Sequence, residues 1–243
     1  MSLQIGAALK SGASRFASRT GAILTVAYLV LYTVYQIGYN AIVNVVYTRM
    51  GVDTSLAVPV SLPVPVAVVV VVACLIALSY LSVVAIRTFV AGTRDTIPGE
   101  FYTDGVVWAV PNLFVGGLVT MVLVTIGFAL LFVPGIFLLV SLLFMPVYVA
   151  VEGDNFVTAM RRSWALARGD RLAILGLVLV VVAIGAAVGV VFAVVNIAAS
   201  LAGYQVVVPF VAAVVVSPVT MYNLAAVAAA FEQLAGVPNA EAL

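Results

Sequence analysis

The chain has 243 residues, 65% of them hydrophobic and 8% charged, with a mean hydropathy of +1.31. An ordinary soluble domain carries roughly 25% charged residues, so water is not the main solvent of this protein, and a net charge of +1 supplies no bulk field to gather nucleic acid or an acidic partner. One cysteine, Cys74, excludes a disulfide framework or a cysteine metal site within the chain, and the lack of histidine removes the commonest general base and transition-metal ligand together.

The N-terminal stretch, residues 1–20, sets Ile5, Leu9 and Phe16 against Lys10, Arg15 and Arg19, the pattern of a basic amphipathic helix lying in a membrane interface. The apolar run 21–46 follows. It is about twice the length of a signal-peptide core and has no small-residue cleavage site at its end, so it reads as a retained first span. Its polar groups are concentrated. Tyr28, Tyr32, Tyr35 and Tyr39 follow 3,4 spacing and share one helix face, with Gln36 and Asn40 beside them. One reading is the wall of an intramembrane cavity suited to an amphipathic ligand. The other is that phenols and amides bond across helices and hold the bundle together.

A hydrocarbon core needs roughly 20 apolar residues in a helix, and runs of that order follow at 64–90 and 106–131. Cys74 lies inside the first of these as a buried, inert side chain. The connector 93–105, with Arg94, Asp95, Glu100 and Asp104, reads as solvated. From Val106 to Val151 an unbroken helix would be about 69 Å long, more than twice the bilayer core. The chain must turn back, and Val133-Pro134-Gly135 is the expected place. A short fourth span over 136–151 results; its length leaves open that it begins before Pro134 or is re-entrant.

Residues 154–169 form a second basic amphipathic segment. Phe156, Met160, Trp164 and Ala167 recur at helical spacing, Arg161, Arg162 and Arg168 fall largely elsewhere, and Asp154 is the expected N-cap. Together with Arg171, these arginines and Lys10, Arg15 and Arg19 are candidates for binding anionic lipid headgroups or docking a membrane-protein partner; the alternative is that they only fix topology. Spans over 172–201 and 206–231 complete the chain, leaving Glu232 in the tail. Gly116 and Gly117 on the third span, and Gly185 and Gly189 on the fifth, are small residues suited to close helix packing, within the chain or in a homo-oligomer. Pro209 and Pro218 suggest a kink in the last span.

Nine of the ten basic residues fall on one side when the N-terminus is placed inside, which predicts a multi-pass protein of the cell membrane with both termini cytoplasmic. The expected fold is therefore all-α, a single membrane domain of about six transmembrane helices with two cytoplasmic interfacial helices. The two basic helices each precede an outward-running span, and at an offset of 151 residues Ala22-Ile23-Leu24 aligns with Ala173-Ile174-Leu175. This leaves a parallel internal repeat open.

Pro134-Gly135-Ile136-Phe137, then Pro146-Val147-Tyr148-Val149-Ala150-Val151-Glu152-Gly153 and Ala159-Met160-Arg161-Arg162-Ser163-Trp164-Ala165-Leu166-Ala167-Arg168-Gly169, resemble a pattern in uncharacterised haloarchaeal-type membrane proteins related to the YciC-like group. A similar arrangement occurs in the membrane domain attached to some glycerophosphodiester phosphodiesterases. The resemblance covers about 40 residues and implies a bundle of about six helices with interfacial helices. It brings no catalytic residue, and the soluble phosphodiesterase domain has no counterpart here.

No Walker A loop, nucleophile elbow, zinc helix or EF-hand loop occurs, and every carboxylate falls near a span end or in a loop. The sequence thus points to a non-enzymatic membrane protein without cofactor or metal, with a structural, accessory or lipid-organising role and membrane lipids as partners. The alternative is a transporter, channel or lipid-handling protein that uses the tyrosine face.

Overall fold

A computed structural model describes residues 3–51, 62–204 and 207–236 of the chain. Among them there are helices and no strands. The helices are α1 (Ile5–Phe16), α2 (Arg19–Arg49), α3 (Val64–Val90), α4 (Glu100–Thr103), α5 (Val106–Leu130), α6 (Phe132–Leu142), α7 (Met145–Glu152), α8 (Phe156–Ala167), α9 (Arg171–Leu201) and α10 (Val208–Ala235). Six stretches are long and apolar enough to cross a membrane: α2, α3, α5, α6 with α7 (Phe132–Glu152), α9 and α10. The expected start of the last span, residue 206, lies outside the described residues, as do residues 52–61 and the tail beyond residue 236.

The reversal between the third and fourth spans falls one step earlier than expected. Leu131 is extended (φ −160°, ψ 144°) and α6 begins at Phe132, so Pro134 and Gly135 lie inside its first turn. Proline is tolerated there because the first-turn amides have no partner within a helix. Gly135 instead serves close approach: a Cβ built on Gly127 of α5 would stand 2.9 Å from the Gly135 Cα. The fourth span is also broken. Between α6 and α7, Phe144 leaves helical geometry (φ −93°, ψ 0°). Ser163 of α8 bridges the gap with one hydroxyl, accepting from the Phe144 N–H at 3.1 Å and donating to the Ser141 carbonyl at 2.8 Å.

The chain divides into two compact units. The first holds residues 3–24, 79–182 and 221–236, and contains α1 and α4 to α8 whole. Its core runs through Ala8, Val83, Ile86, Ala109, Phe144, Met145, Val149, Ala159, Ile174 and Phe231. In it α5 packs on α6, α7 and α8, and α8 also packs on α6 and α7. At the α1–α2 corner the Thr20 N–H donates to the Arg94 carbonyl and its hydroxyl to the Thr93 carbonyl, which ties the start of α2 to the chain after α3.

The second unit, residues 25–51, 62–78, 183–204 and 207–220, is made of segments of α2, α3, α9 and α10. Gly38 permits close approach between α2 and α3: a Cβ there would stand 3.2 Å from the Ala67 carbonyl oxygen. Cys74 is buried and free, as expected.

Candidate functional site

The basic side chains of α1 and α8 separate into groups that the sequence does not distinguish. Arg15 is 3% exposed. Its Nη1 and Nη2 bind Oε1 and Oε2 of Glu232 side by side, the second at 2.7 Å, and Nη1 also donates to the Phe89 carbonyl at 2.5 Å. Arg15 is therefore withdrawn from the headgroup-binding set. The physical reason is its partner: α10 continues to Ala235, so Glu232 is not in the tail but inside the last helix and 2% exposed. A charge that deep needs a bidentate, hydrogen-bonded counter-ion.

Arg162 is exposed but neutralised. It pairs with Glu152 and with Asp154 (2.8 Å), and its guanidinium carbon stands 4.4 Å from the Tyr148 ring centroid. Burial alone would lower its pKa, but the hydrogen bonds with Asp154 and Glu152 outweigh that and hold it above the ordinary arginine value. Asp154 is thereby used as an ion-pair partner. The N-cap of α8 is Asn155, whose side chain accepts from the Thr158 N–H at 2.9 Å.

Lys10, Arg19, Arg161 and Arg168 are exposed, and no carboxylate among the described residues pairs with them. Arg171, at the start of α9, is half-buried. Its guanidinium carbon lies 4.4 Å from the centroid of Phe137 and 5.3 Å from that of Trp164.

The deepest stripe of α8 is Ala159, Ser163 and Ala167; Phe156, Met160 and Trp164 are only half-buried. Small side chains let α8 approach α6 and α7 closely enough for the Ser163 bridge. Ser163 and Glu232 are among the residues that the sequence alone did not single out. Their signals were present: Ser163 sits at the middle of an i, i+4, i+8 small-residue stripe, and Glu232 follows the apolar run Ala228–Phe231 without a break.

A cleft of about 540 Å³ lies beside this region, lined by Arg87, Glu100, Phe101, Asp104 and Glu152 among others. Arg87 donates from Nε to the Ala150 carbonyl at 2.6 Å and from Nη1 to the Asp104 carbonyl at 2.7 Å. The connector read as solvated thus forms one wall of a cleft. The indole of Trp108 and the amide of Asn112 fasten α5 to the α7–α8 turn, donating to the Gly153 carbonyl at 3.2 Å and accepting from the Phe156 N–H at 3.1 Å.

On α2 the four phenols of the shared face are stacked. Centroids of Tyr28–Tyr32, Tyr32–Tyr35 and Tyr35–Tyr39 lie 5.9, 5.8 and 5.8 Å apart, with ring planes within 30°. Asn40 donates to the Gln36 carbonyl of its own helix at 2.7 Å. The glycines divide. A Cβ on Gly116 would stand 2.8 Å from the Phe156 Cβ, so Gly116 packs within the chain, whereas Gly117, Gly185 and Gly189 have open space within 4 Å. Among the described residues nothing packs against the last three. No group of three or more His, Cys, Asp or Glu that could hold a metal occurs among the described residues.

Among the described residues, six helical stretches long and apolar enough to cross a membrane mark a multi-pass helical membrane protein. It belongs to the family described as a domain of unknown function (DUF7847), whose model matches residues 3–237. No curated protein and no solved structure matches the chain.

Proposed function

We propose that the protein is a non-enzymatic organiser of membrane lipid, seated in the cell membrane with both termini cytoplasmic and acting through the basic faces of α1 and α8. The observation that carries this reading is the set Lys10, Arg19, Arg161 and Arg168: exposed, on or beside amphipathic helices, and without a carboxylate partner among the described residues. Cations that served only to balance local acids would be paired as Arg162 is. Near an anionic leaflet each free cation contributes about 1 kcal/mol. The resemblance to the YciC-like group is compatible with this reading, since it implies interfacial helices and no catalytic residue.

The test is the composition of lipid retained by the full-length protein after extraction from mixed anionic and zwitterionic vesicles. Enrichment in anionic lipid is expected, falling when Lys10, Arg19, Arg161 and Arg168 are changed together to Gln. Retained lipid that mirrors the bulk mixture would overturn the proposal.

A second reading, a lipid-handling or transport protein, draws on the stacked tyrosines of α2. Its mark would be water reaching that face, so a Gln36→Cys probe in a Cys74→Ala chain should react with a soluble maleimide in lipid; an inert thiol would sink it.

A further inference from the structure

Between α6 and the first turns of α9 lies an apolar groove of about 320 Å³, lined by Val133, Phe137, Val140, Leu172 and Leu175 with Arg171 among them. That volume lies within the range of roughly 300–1,000 Å³ usual for small-molecule clefts. Every lining residue except Arg171 is apolar.

Arg171 differs from the other half-buried and buried arginines. Arg15 has Glu232 and Arg87 has backbone carbonyls, but no carboxylate among the described residues lies within ion-pair distance of Arg171. Its Nε, like that of Arg15, is buried without a hydrogen-bond partner. The faces of Phe137 and Trp164 hold the guanidinium in place without cancelling its charge. An unneutralised planar cation beside a hydrocarbon groove is complementary to an anion that carries a hydrocarbon chain. Phosphate oxygens suit the guanidinium fork, and an acyl chain suits the apolar walls.

We infer that this groove takes the acyl chain of an anionic phospholipid whose phosphate is held by Arg171. The inference rests on the lipid-organising reading and sharpens it from a charged surface to one lipid site.

The chain has two tryptophans, and Trp108→Phe leaves Trp164 as the reporter beside the site. In vesicles, Trp164 fluorescence is titrated with acyl-brominated phosphatidylglycerol and with acyl-brominated phosphatidylcholine. The anionic lipid should quench with an apparent affinity about fivefold higher. R171Q should erase that preference, while R49Q, the same change in net charge at the C-terminal end of α2, should keep it. Should R171Q or Trp108→Phe not fold, Leu175→Phe fills the groove with the charge intact and should also reduce the anionic quenching; the Trp164 signal is then taken as the difference from Trp164→Phe.

Equal quenching by the two lipids, quenching by neither, or a preference that survives R171Q would overturn the site. Competition by millimolar glycerol phosphate against the brominated lipid would assign Arg171 to a soluble phosphate and overturn the lipid. Retained-lipid composition is read separately. Anionic enrichment without Trp164 selectivity overturns the groove and leaves the wider role, and selectivity without enrichment does the reverse.

Discussion

Taking a carboxylate and a guanidinium out of water costs several kcal/mol per ion, a cost met only while both are present and fully bonded. Arg15 and Glu232 come close to that condition, joining α1 to α10 through both Nη atoms, and Arg15 adds the Phe89 carbonyl at the end of α3, while its Nε is left without a partner. Removing one partner strands the other. Arg15→Met or Glu232→Gln should each destabilise the fold by about 3–5 kcal/mol, and the double change Arg15→Met with Glu232→Met should cost less than either single one. Thermal unfolding in detergent micelles reads this, and additive losses in the double variant would show that the two charges do not depend on each other. Nothing local in the sequence separates Arg15 from Lys10 or Arg19. All three are cations of one basic N-terminal segment, and only a partner 217 residues away decides which is buried. The same holds for Arg171, which the sequence marks only as one of a basic cluster: its ring partners Phe137 and Trp164 lie on α6 and α8, and the fold alone brings them to the start of α9.

At the scale of helices, what was legible followed from hydropathy and length. α3 occupies Val64–Val90, the limits expected from the apolar run, and α1 and α8 lie within the two basic amphipathic segments. Contacts between helices were less visible, because a glycine or alanine has the same local pattern on any face. Gly185 and Gly189 have the spacing of a packing motif and face open space, while Gly12, with no such motif, lies under α10: a Cβ there would stand 2.7 Å from the Ala226 Cα, a backbone atom that cannot turn aside. Gly12→Ala should therefore separate α1 from α10 at a cost of about 1–3 kcal/mol. Gly185→Ala and Gly189→Ala should cost nothing, and their better helix propensity offers up to about 1 kcal/mol each. Melting temperatures of the three variants decide this. A loss of stability in the Gly185 or Gly189 variant that depends on protein concentration would mean that a second copy packs there. The Ser163 bridge was hidden for a related reason. A serine in a helix reads as neutral, and only the break at Phe144, itself unmarked by glycine at that position, gives its hydroxyl two partners.

Across the whole molecule the element pattern repeats. α1, α2 and α3 have 12, 31 and 27 residues, and α8, α9 and α10 have 12, 31 and 28. The first helices of each set are offset by 151 residues at both ends, the offset at which the sequence fragments align. The ends of the third helices also correspond: Val83–Ile86 and Ala228–Phe231 are buried, each followed by an ionisable residue, Arg87 or Glu232, that is bonded within the fold. A parallel repeat requires α2 and α9 to cross the membrane in the same direction, hence an even number of crossings before α9. That condition is met when α3, α5 and the broken span α6–α7 all cross after α2. It predicts that residues 10, 96 and 154 share the cytoplasmic side, with residue 49 opposite, as the distribution of arginines also requires. Single cysteines at these four positions in a Cys74→Ala chain, exposed to a membrane-impermeant maleimide in intact cells, should label only at residue 49. Labelling at residue 154 with residues 10 and 96 protected would mean that α6–α7 re-enters instead of crossing; the two basic helices would then lie on opposite leaflets, and neither the parallel repeat nor a single lipid-binding face could stand.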